Sequence, residues 1–439
     1  MNKNERKNVL VKSGRVIDPE KGKEFISDIY IKDGILAEMG ENIKAKGKEL
    51  TEIDAKGCIV CPGFVDMHVH LRDPGFEDEE TIETGTLAAV KGGITTVACM
   101  PNTSPSIDSE SMVKYILEKS QSAVCKVLPV AAMTRGLKGT EITDMGLLAE
   151  AGAVGFSDDG RCVGDSRLMY EVMRYSTQFG LPLVLHEEDY SVSRGGLVNE
   201  GRYSSMLGLD GISSLSDDVM IARDIILAGR SRAKIHITHL STKGGVEMIK
   251  KAREGGLDIT CDVTPHHLFF NDSYLASFNT NLKVKPPIRS EEDRLALIEG
   301  IKGGVIDAIA SDHAPHLDTE KNTTFRLAEF GTIGLETLFS AAFSKLCMEE
   351  KISLPGFISL ITTSPAKILG IDAGKIEVGK TANITVIDTE AEEEIKRESF
   401  ISKSKNSAFI GQKLKGKIVC TISKGKLVYI NKQHIREGL

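Results

Sequence analysis

The chain has 439 residues and a formal net charge of −7. This length exceeds one ordinary domain but fits a barrel of about 250 residues together with a smaller module. The acidic balance argues against a nucleic-acid partner, because phosphate binding needs clustered lysines and arginines. The opening MNKNERKNVLVKSG lacks the apolar segment of a secretory signal, and no apolar run approaches the roughly 20 residues of a membrane span, so we expect a cytoplasmic protein without membrane contact.

Both flanks of the sequence are rich in short β-type segments. Residues 8–57 contain VLVKSGRVID and ISDIYIKDGILAEMG, and the stretch from about 371 to 430 contains NITVIDT and KIVCTISKGKLVYI. Turn signals every 8–12 residues are typical of antiparallel strands. Because neither flank is long enough to bury a core alone, we predict one small β-sandwich domain formed from both chain ends, residues 1–57 and 371–439.

The central part, residues 58–370, alternates β-rich segments with helical ones such as EETIETGTLAAVKGG, DSRLMYEVMRYSTQFG and TKGGVEMIKKAREGG. This alternation indicates an α/β fold with a parallel sheet and crossover helices. Eight strands, the number that closes a (β/α)8 TIM-type barrel, are predicted at 64–70, 95–100, 126–132, 153–158, 182–186, 234–239, 258–264 and 308–312.

Residues that commonly bind metals stand where these predicted strands end. They are His68 and His70 in FVDMHVH, Asp159 in AVGFSDDG, His186 in LPLVLH, His239 in IHITH and Asp312 in AIASDH. Active sites of (β/α)8 barrels are assembled from residues at the carboxyl ends of different strands. Imidazole nitrogens and carboxylate oxygens together form water-activating sites for zinc-like ions. The pattern therefore predicts a metal-dependent hydrolase.

Five motifs in order carry a resemblance to a known family. PGFVDMHVHLRDPG looks like the opening strand of the amidohydrolase superfamily, and with MPNT (100–103), FSDDG (156–160), TPHH (264–267) and SDHAPH (311–316) the chain resembles the class I dihydroorotases. The match runs from about residue 58 to 370. GKIEVGKTANITVID (374–388) resembles the return of the chain to the superfamily's sandwich.

The resemblance implies a centre with two Zn²⁺ ions per chain, although His and Asp ligands alone do not exclude Mn or Co. His68 and His70 match ligands of the first metal, and His186 and His239 match ligands of the second. Asp159 matches the carboxylate that bridges both metals, where other superfamily members use a carbamylated lysine. Asp312 matches the aspartate that touches the first metal and transfers protons, so it is the predicted catalytic residue.

The same resemblance implies the substrate contacts. Arg72 is suited to a bidentate grip on a substrate carboxylate, and Asn102 supplies neutral hydrogen bonds to the same group. His316, Phe330 and Gly331 also match substrate-binding positions of the family. The predicted metal ligand His70 matches a substrate-binding position as well.

One position departs from the family. Where the family reads N-P-P-L-R, with Asn on the substrate, this chain reads Lys285-Pro286-Pro287-Ile288-Arg289. One interpretation is that the Lys285 ammonium replaces that contact. The other is that its flexible stem carries the charge away to solvent.

The function implied is the reversible cyclisation of N-carbamoyl-L-aspartate to L-dihydroorotate in pyrimidine biosynthesis, on a small-molecule substrate. One alternative is another cyclic amidohydrolase of the dihydropyrimidinase, hydantoinase or allantoinase type, against which the Asp bridge argues. A second is a non-catalytic subunit that scaffolds aspartate carbamoyltransferase, which would be expected to lose metal ligands. We also expect a homodimer and consider a complex with aspartate carbamoyltransferase.

Overall fold

The structure, a computed structural model, describes residues 8–45, 50–431 and 435–437. Its β-strands in chain order are β1 Asn8–Asp18, β2 Lys23–Lys32, β3 Ile35–Gly40, β4 Leu50–Asp54, β5 Ile59–Pro62, β6 Phe64–Val69, β7 Ile94–Cys99, β8 Lys126–Pro129, β9 Leu183–Leu185, β10 Val198–Asn199, β11 Gly211–Ile212, β12 Ile235–Ile237, β13 Ile259–Val263, β14 Ala308–Ile309, β15 Ile384–Glu394, β16 Lys413–Ser423, β17 Lys426–Ile430 and β18 Ile435–Glu437.

The helices alternate with the central strands. They are α1 Ile82–Lys91, α2 Glu110–Lys119, α3 Met145–Ala151, α4 Ser166–Ser176, α5 Tyr190–Ser193, α6 Arg202–Leu207, α7 Leu215–Ser231, α8 Lys243–Glu254, α9 Pro265–Phe269, α10 Glu291–Lys302, α11 Asp318–Lys321, α12 Leu338–Phe343, α13 Leu354–Leu360 and α14 Thr363–Leu369. The three helical segments named from the sequence are confirmed as α1, α4 and α8. No helix among the described residues is both long enough and apolar enough to cross a membrane.

Local sequence explains where these helices begin and end. The Thr242 hydroxyl accepts the backbone N–H of Gly245 at the start of α8, and Gly255 follows its last residue. Ser290 accepts the N–H of Asp293 at the start of α10, whose first turn carries three acidic residues. Such caps satisfy backbone donors that lack a partner within the helix, and the acids complement the helix dipole.

The central strands form two parallel sheets, β6-β7-β8 and β14-β13-β12-β9. Seven of the eight predicted strands are present. The segment predicted at 153–158 contains a single bridging residue, Phe156, which pairs in parallel with both Ala131 and Leu183. Its ladder is short because the carboxylate of Asp158 accepts the backbone N–H groups of Met133 and Thr134 at 2.8 and 2.9 Å. A further parallel bridge joins Val69 to His313, at the outer ends of the two sheets.

The two chain ends form one mixed sheet. Among the described residues its order is β17-β16-β15-β5-β1-β2-β3, with β4 paired to both β1 and β18. The expectation of antiparallel pairing holds for most neighbours, but β1 pairs in parallel with β4 and β5. Strand β5 falls within the range predicted for the barrel. It pairs instead with β15, through Val60 and Val386 among others. The chain therefore leaves this mixed sheet, which we call the outer sheet, at Gly63.

Candidate metal centre and active site

The six predicted metal ligands converge at the carboxyl ends of the parallel strands. His68 lies within β6 and His70 directly follows it, while His186 directly follows β9. His239 and Asp312 follow β12 and β14 by two and three residues, and Asp159 follows the bridging residue Phe156 by three. All six side chains are buried. The strand ends thus bring together residues that are separated by up to 244 positions in the sequence.

Asp159 presents one of its carboxylate oxygens to a first group of ligand atoms. Its Oδ2 lies 3.3 Å from His68 Nε2 and 3.4 Å from His70 Nε2. Asp312 Oδ1 completes this group, at 3.5 Å from His68 Nε2 and 3.2 Å from His70 Nε2. Atoms that share a tetrahedral zinc ion at about 2.0–2.1 Å lie roughly 3.3 Å apart, so each of these four distances is close to that between two ligands of one cation.

The other oxygen of Asp159 faces a second group. Its Oδ1 lies 3.7 Å from His186 Nδ1 and 3.6 Å from His239 Nε2. The two imidazole nitrogens are 3.0 Å apart. One carboxylate therefore stands between two sets of nitrogen donors, which is the arrangement required of a bridging ligand.

Hydrogen bonds behind the site fix the imidazole orientations. His68 Nδ1 donates to Thr238 Oγ1 at 2.7 Å, and that hydroxyl donates to Asp262 Oδ2 at 3.0 Å. Asp262 Oδ1 accepts the backbone N–H of His239 at 2.7 Å, and its Oδ2 lies 2.8 Å from His236 Nε2. Because Nδ1 of His68 is used in this way, its Nε2 lone pair is left for a cation.

The electrostatics favour a cation. Burial raises the pKa of Asp159 and of Asp312, but the surrounding histidines outweigh it and hold both pKa values below the usual range. Burial lowers the pKa of His68, yet Asp159 and Asp312 raise it to about 10, so the two carboxylates favour a positive charge at this position. His68 Nε2 and Asp159 Oδ1 have no hydrogen-bond partner among the described residues. Buried polar atoms without partners are costly, and a divalent cation would satisfy both.

The backbone at the site adopts unusual conformations. Arg72, His239 and Asp312 have φ values of 62, 38 and 46°. Residues other than glycine rarely adopt this left-handed region, which costs about 1–3 kcal/mol each and is found most often at functional sites. No sequence signal predicts this feature, since none of the three is Gly, Asn or at a recognisable turn.

A second cluster surrounds Arg72, where the substrate carboxylate is predicted to bind. Arg72 Nε donates to the carbonyl of Pro315 at 3.2 Å and pairs with Glu79 Oε2 at 2.7 Å. The Arg72 Nη2 group lies 3.3 Å from His316 Nε2. Burial, followed by the charge of Arg72, lowers the pKa of His316 to about 3. The neutral His316 ring therefore has its Nε2–H available to donate to the carbonyl of Phe330 at 2.8 Å.

Two predicted substrate residues are also linked to the metal centre. Asn102 Oδ1 accepts from His70 Nδ1 at 2.8 Å, which leaves the amide Nδ2 as its donor. Lys285 Nζ lies 2.9 Å from Glu188 Oε2 and near the rings of Tyr190 and Phe330. The Lys285 side chain thus turns inward, against the interpretation in which its charge reaches for solvent.

Glycine is required at position 331. Its φ is +145°, and a Cβ there would lie 2.8 Å from Ala314 Cβ and 2.9 Å from His316 Nε2. The carbonyl of Gly331 accepts from Lys321 Nζ at 2.9 Å and from Asn406 Nδ2 at 3.2 Å. The segment that carries Phe330 and Gly331 is therefore held at a fixed distance from His316.

We expect Gly331→Ala to lower the free energy of unfolding by about 1–3 kcal/mol, because it adds both backbone strain and a steric overlap. It should also raise KM, since the new methyl group displaces the His316 ring. Thermal unfolding and steady-state kinetics measure the two effects. Gly208→Ala is the matched control, with φ of +64° but open space around its Cβ; an equal KM change in both variants would contradict the steric argument.

Sequence reasoning missed four residues that support the site. Glu79, Glu188, Asp262 and Asn406 contact the predicted residues Arg72, Lys285, His239 and His316 respectively. Asp262 had a detectable signal, a carboxylate inside the apolar strand β13. Asn406 had none, because it lies in an irregular segment 90 residues after His316, whose backbone N–H its Oδ1 accepts.

Comparisons with known proteins agree with this geometry. A family model described as dihydro-orotase-like matches residues 57–245. The dihydroorotase of Thermoanaerobacter sp. (strain X514) is 47% identical over 422 residues, covering 96% of this chain and 97% of that protein. The dihydroorotase of Aquifex aeolicus (strain VF5) is 45% identical, covering 96% and 99%. Among solved structures, an L-hydantoinase (dihydropyrimidinase) from Arthrobacter aurescens is similar in fold, with a TM-score of 0.86, 24% identity and 96% of both chains covered.

Proposed function

Because the chain belongs to the dihydroorotase family of cyclic amide hydrolases, we propose that this site catalyses the reversible cyclisation of N-carbamoyl-L-aspartate to L-dihydroorotate in pyrimidine biosynthesis. The observation that carries the proposal is the position of Asp159, whose two oxygens face two separate groups of histidine nitrogens. Two divalent ions that share a carboxylate fit this arrangement, and His and Asp ligands suit Zn²⁺.

Bound divalent ions lower the pKa of a water molecule and polarise a carbonyl group, which are the two requirements of amide hydrolysis. Asp312 would serve as the general base. Its carboxylate is ionised, buried and aimed at the first group of ligand atoms, so it can take a proton from water and return it to the departing ring nitrogen.

Arg72, Asn102 and His316 would orient the substrate. The guanidinium can hold a carboxylate through two N–H groups, while the Asn102 Nδ2 donor lies beside the His70 ring. Phe330 and Gly331 would line the ring-binding side, and the Lys285 ammonium lies over the Phe330 ring. Holding the carboxylate at one end would orient the amide towards Asp312 and the candidate cation ligands.

Arg72→Met is expected to lower kcat/KM for dihydroorotate by roughly 100-fold, because it removes charge-assisted hydrogen bonds to the carboxylate. Hydrolysis of dihydrouracil, which lacks that group, should fall far less if it is detectable. Glu79→Gln, which keeps the guanidinium but removes its ion pair, is the control. Equal losses on both substrates would mean that Arg72 only stabilises the fold.

Three observations weigh against the alternative functions. The bridging position holds Asp159 rather than the lysine of hydantoinase-type relatives, and identity is 47% to a dihydroorotase but 24% to a hydantoinase. A non-catalytic scaffold would not need all six candidate ligand residues to lie close together.

One experiment tests the proposed function. The purified protein is assayed with dihydroorotate, dihydrouracil, hydantoin and allantoin, and its metal content is measured in parallel. Preference for dihydroorotate with about two zinc ions per chain is the expected result. A preference for an uncharged ring would contradict the proposed dihydroorotase activity and indicate a hydantoinase-type activity.

The proposal also includes a closed barrel and an oligomeric assembly. The parallel bridges at Phe156 and between Val69 and His313 support closure of the two central sheets into one (β/α)8 barrel, with the outer sheet as a second domain. A homodimer, a complex with aspartate carbamoyltransferase and a cytoplasmic location stay predictions. Light scattering of the protein, with and without the carbamoyltransferase, measures the first two.

A further inference from the structure

Lys285, the residue that departs from the family motif, pairs with a buried carboxylate. Its Nζ lies 2.9 Å from Glu188 Oε2, and Glu188 is only 4% exposed while the lysine side chain is 29% exposed. Tyr190 and Phe330 place their rings 5.6 and 5.3 Å from the same ammonium. The aromatic faces and the carboxylate together confine the lysine head, because both attract a cation.

The same Glu188 oxygen also faces a predicted metal ligand. Glu188 Oε2 lies 3.6 Å from His186 Nε2, a distance of electrostatic attraction rather than a direct hydrogen bond. The other ring nitrogen, His186 Nδ1, faces Asp159 and His239. A neutral imidazole carries one proton, so Nδ1 can bind a cation only when the proton sits on Nε2. Glu188 favours that tautomer because its charge attracts the Nε2 proton.

Glu188 in turn needs a counterion. It faces the imidazole whose other nitrogen faces Asp159, and a buried charge without a partner is costly. Among the described residues, Lys285 is the lysine within ion-pair distance of it. The Lys285 ammonium therefore contacts the Glu188 carboxylate, and that carboxylate faces the His186 imidazole. His186 belongs to the second group of cation ligands.

We propose that Glu188 and Lys285 are positioning residues for the second cation: Glu188 holds His186 with Nδ1 towards Asp159, and Lys285 holds Glu188. In this role Lys285 acts on the cation site through Glu188 and does not need to touch the substrate. The inference rests on the proposed function only in using the same cation site.

The test measures zinc affinity of the full-length protein by competition with a chromophoric chelator. Glu188→Gln should weaken binding of one zinc ion by about 10–100-fold, the usual effect of losing an outer partner of a ligand, and leave the other ion nearly unchanged. Lys285→Met should weaken the same ion by several-fold, whereas Lys285→Arg should bind zinc as the unaltered protein does. Lys375→Met, which removes an exposed ion pair of 3.0 Å with Glu20, is the matched control and should change neither affinity.

The double variant Glu188→Gln/Lys285→Met separates the two possible roles of the lysine. If Lys285 acts through Glu188, the double variant should bind zinc as Glu188→Gln does, and Lys285→Met should keep a normal KM at saturating zinc. Unchanged zinc affinity with a raised KM in Lys285→Met would overturn the inference and make the lysine a substrate contact. Coupled zinc binding without dihydroorotate turnover would sink the proposed function but leave this inference standing.

Discussion

Asp312→Asn is expected to lower turnover of dihydroorotate by about 10²–10⁴-fold, because an amide cannot accept and return the proton that the carboxylate transfers. The side chain keeps its shape, so the fold and most of the bound metal should remain. Steady-state kinetics, metal analysis and thermal unfolding of the variant measure the three quantities separately.

Asp372→Asn is the matched control for that variant, since Asp372 is 79% exposed and pairs with Lys380, which is not a site residue. It should leave turnover, metal content and unfolding temperature unchanged. If Asp312→Asn retained near-normal turnover, another group would have to transfer the proton, and Asp312 would be a ligand only.

Asp159→Ala is expected to remove both cations together, so that metal content falls from about two ions per chain towards zero. The reason is geometric, since each oxygen of Asp159 serves a different group of histidines. Activity should then fall to background, and metal analysis after dialysis measures the occupancy directly.

His186→Ala provides the comparison for this prediction. It removes a ligand from the second group alone, so one ion per chain should remain bound. A full equivalent of metal and measurable activity in Asp159→Ala would mean that the carboxylate is not shared.

The sequence predicted which side chains converge, because the candidate ligands lie at or just after strand ends. His68, Asp159 and Asp312 each follow or close a β-rich segment, and parallel strands necessarily bring their carboxyl ends to one side of the fold. Seven of the eight central strands could be located in the same way from their apolar pattern. Residue type and position along the chain were thus enough to predict which side chains lie together.

What the sequence could not predict depends on contacts between distant segments. The predicted strand at 153–158 is reduced to one bridging residue because the Asp158 carboxylate accepts two backbone N–H groups of the neighbouring segment. The partner of Lys285 lies 97 residues earlier in the chain, at Glu188, and no local pattern connects them. The left-handed backbone at His239 and Asp312 is imposed by packing that local preference opposes.

The outer sheet has a consequence for synthesis of the protein on the ribosome. Strand β5 is complete by residue 62, but its antiparallel neighbour β15 begins at Ile384, so one edge of β5 waits for more than 300 further residues to be translated. At about 5–20 residues per second that wait lasts tens of seconds. An unpaired, apolar strand edge is an aggregation hazard during this interval. The nascent chain should therefore depend on chaperones more strongly before residue 384 emerges than after it.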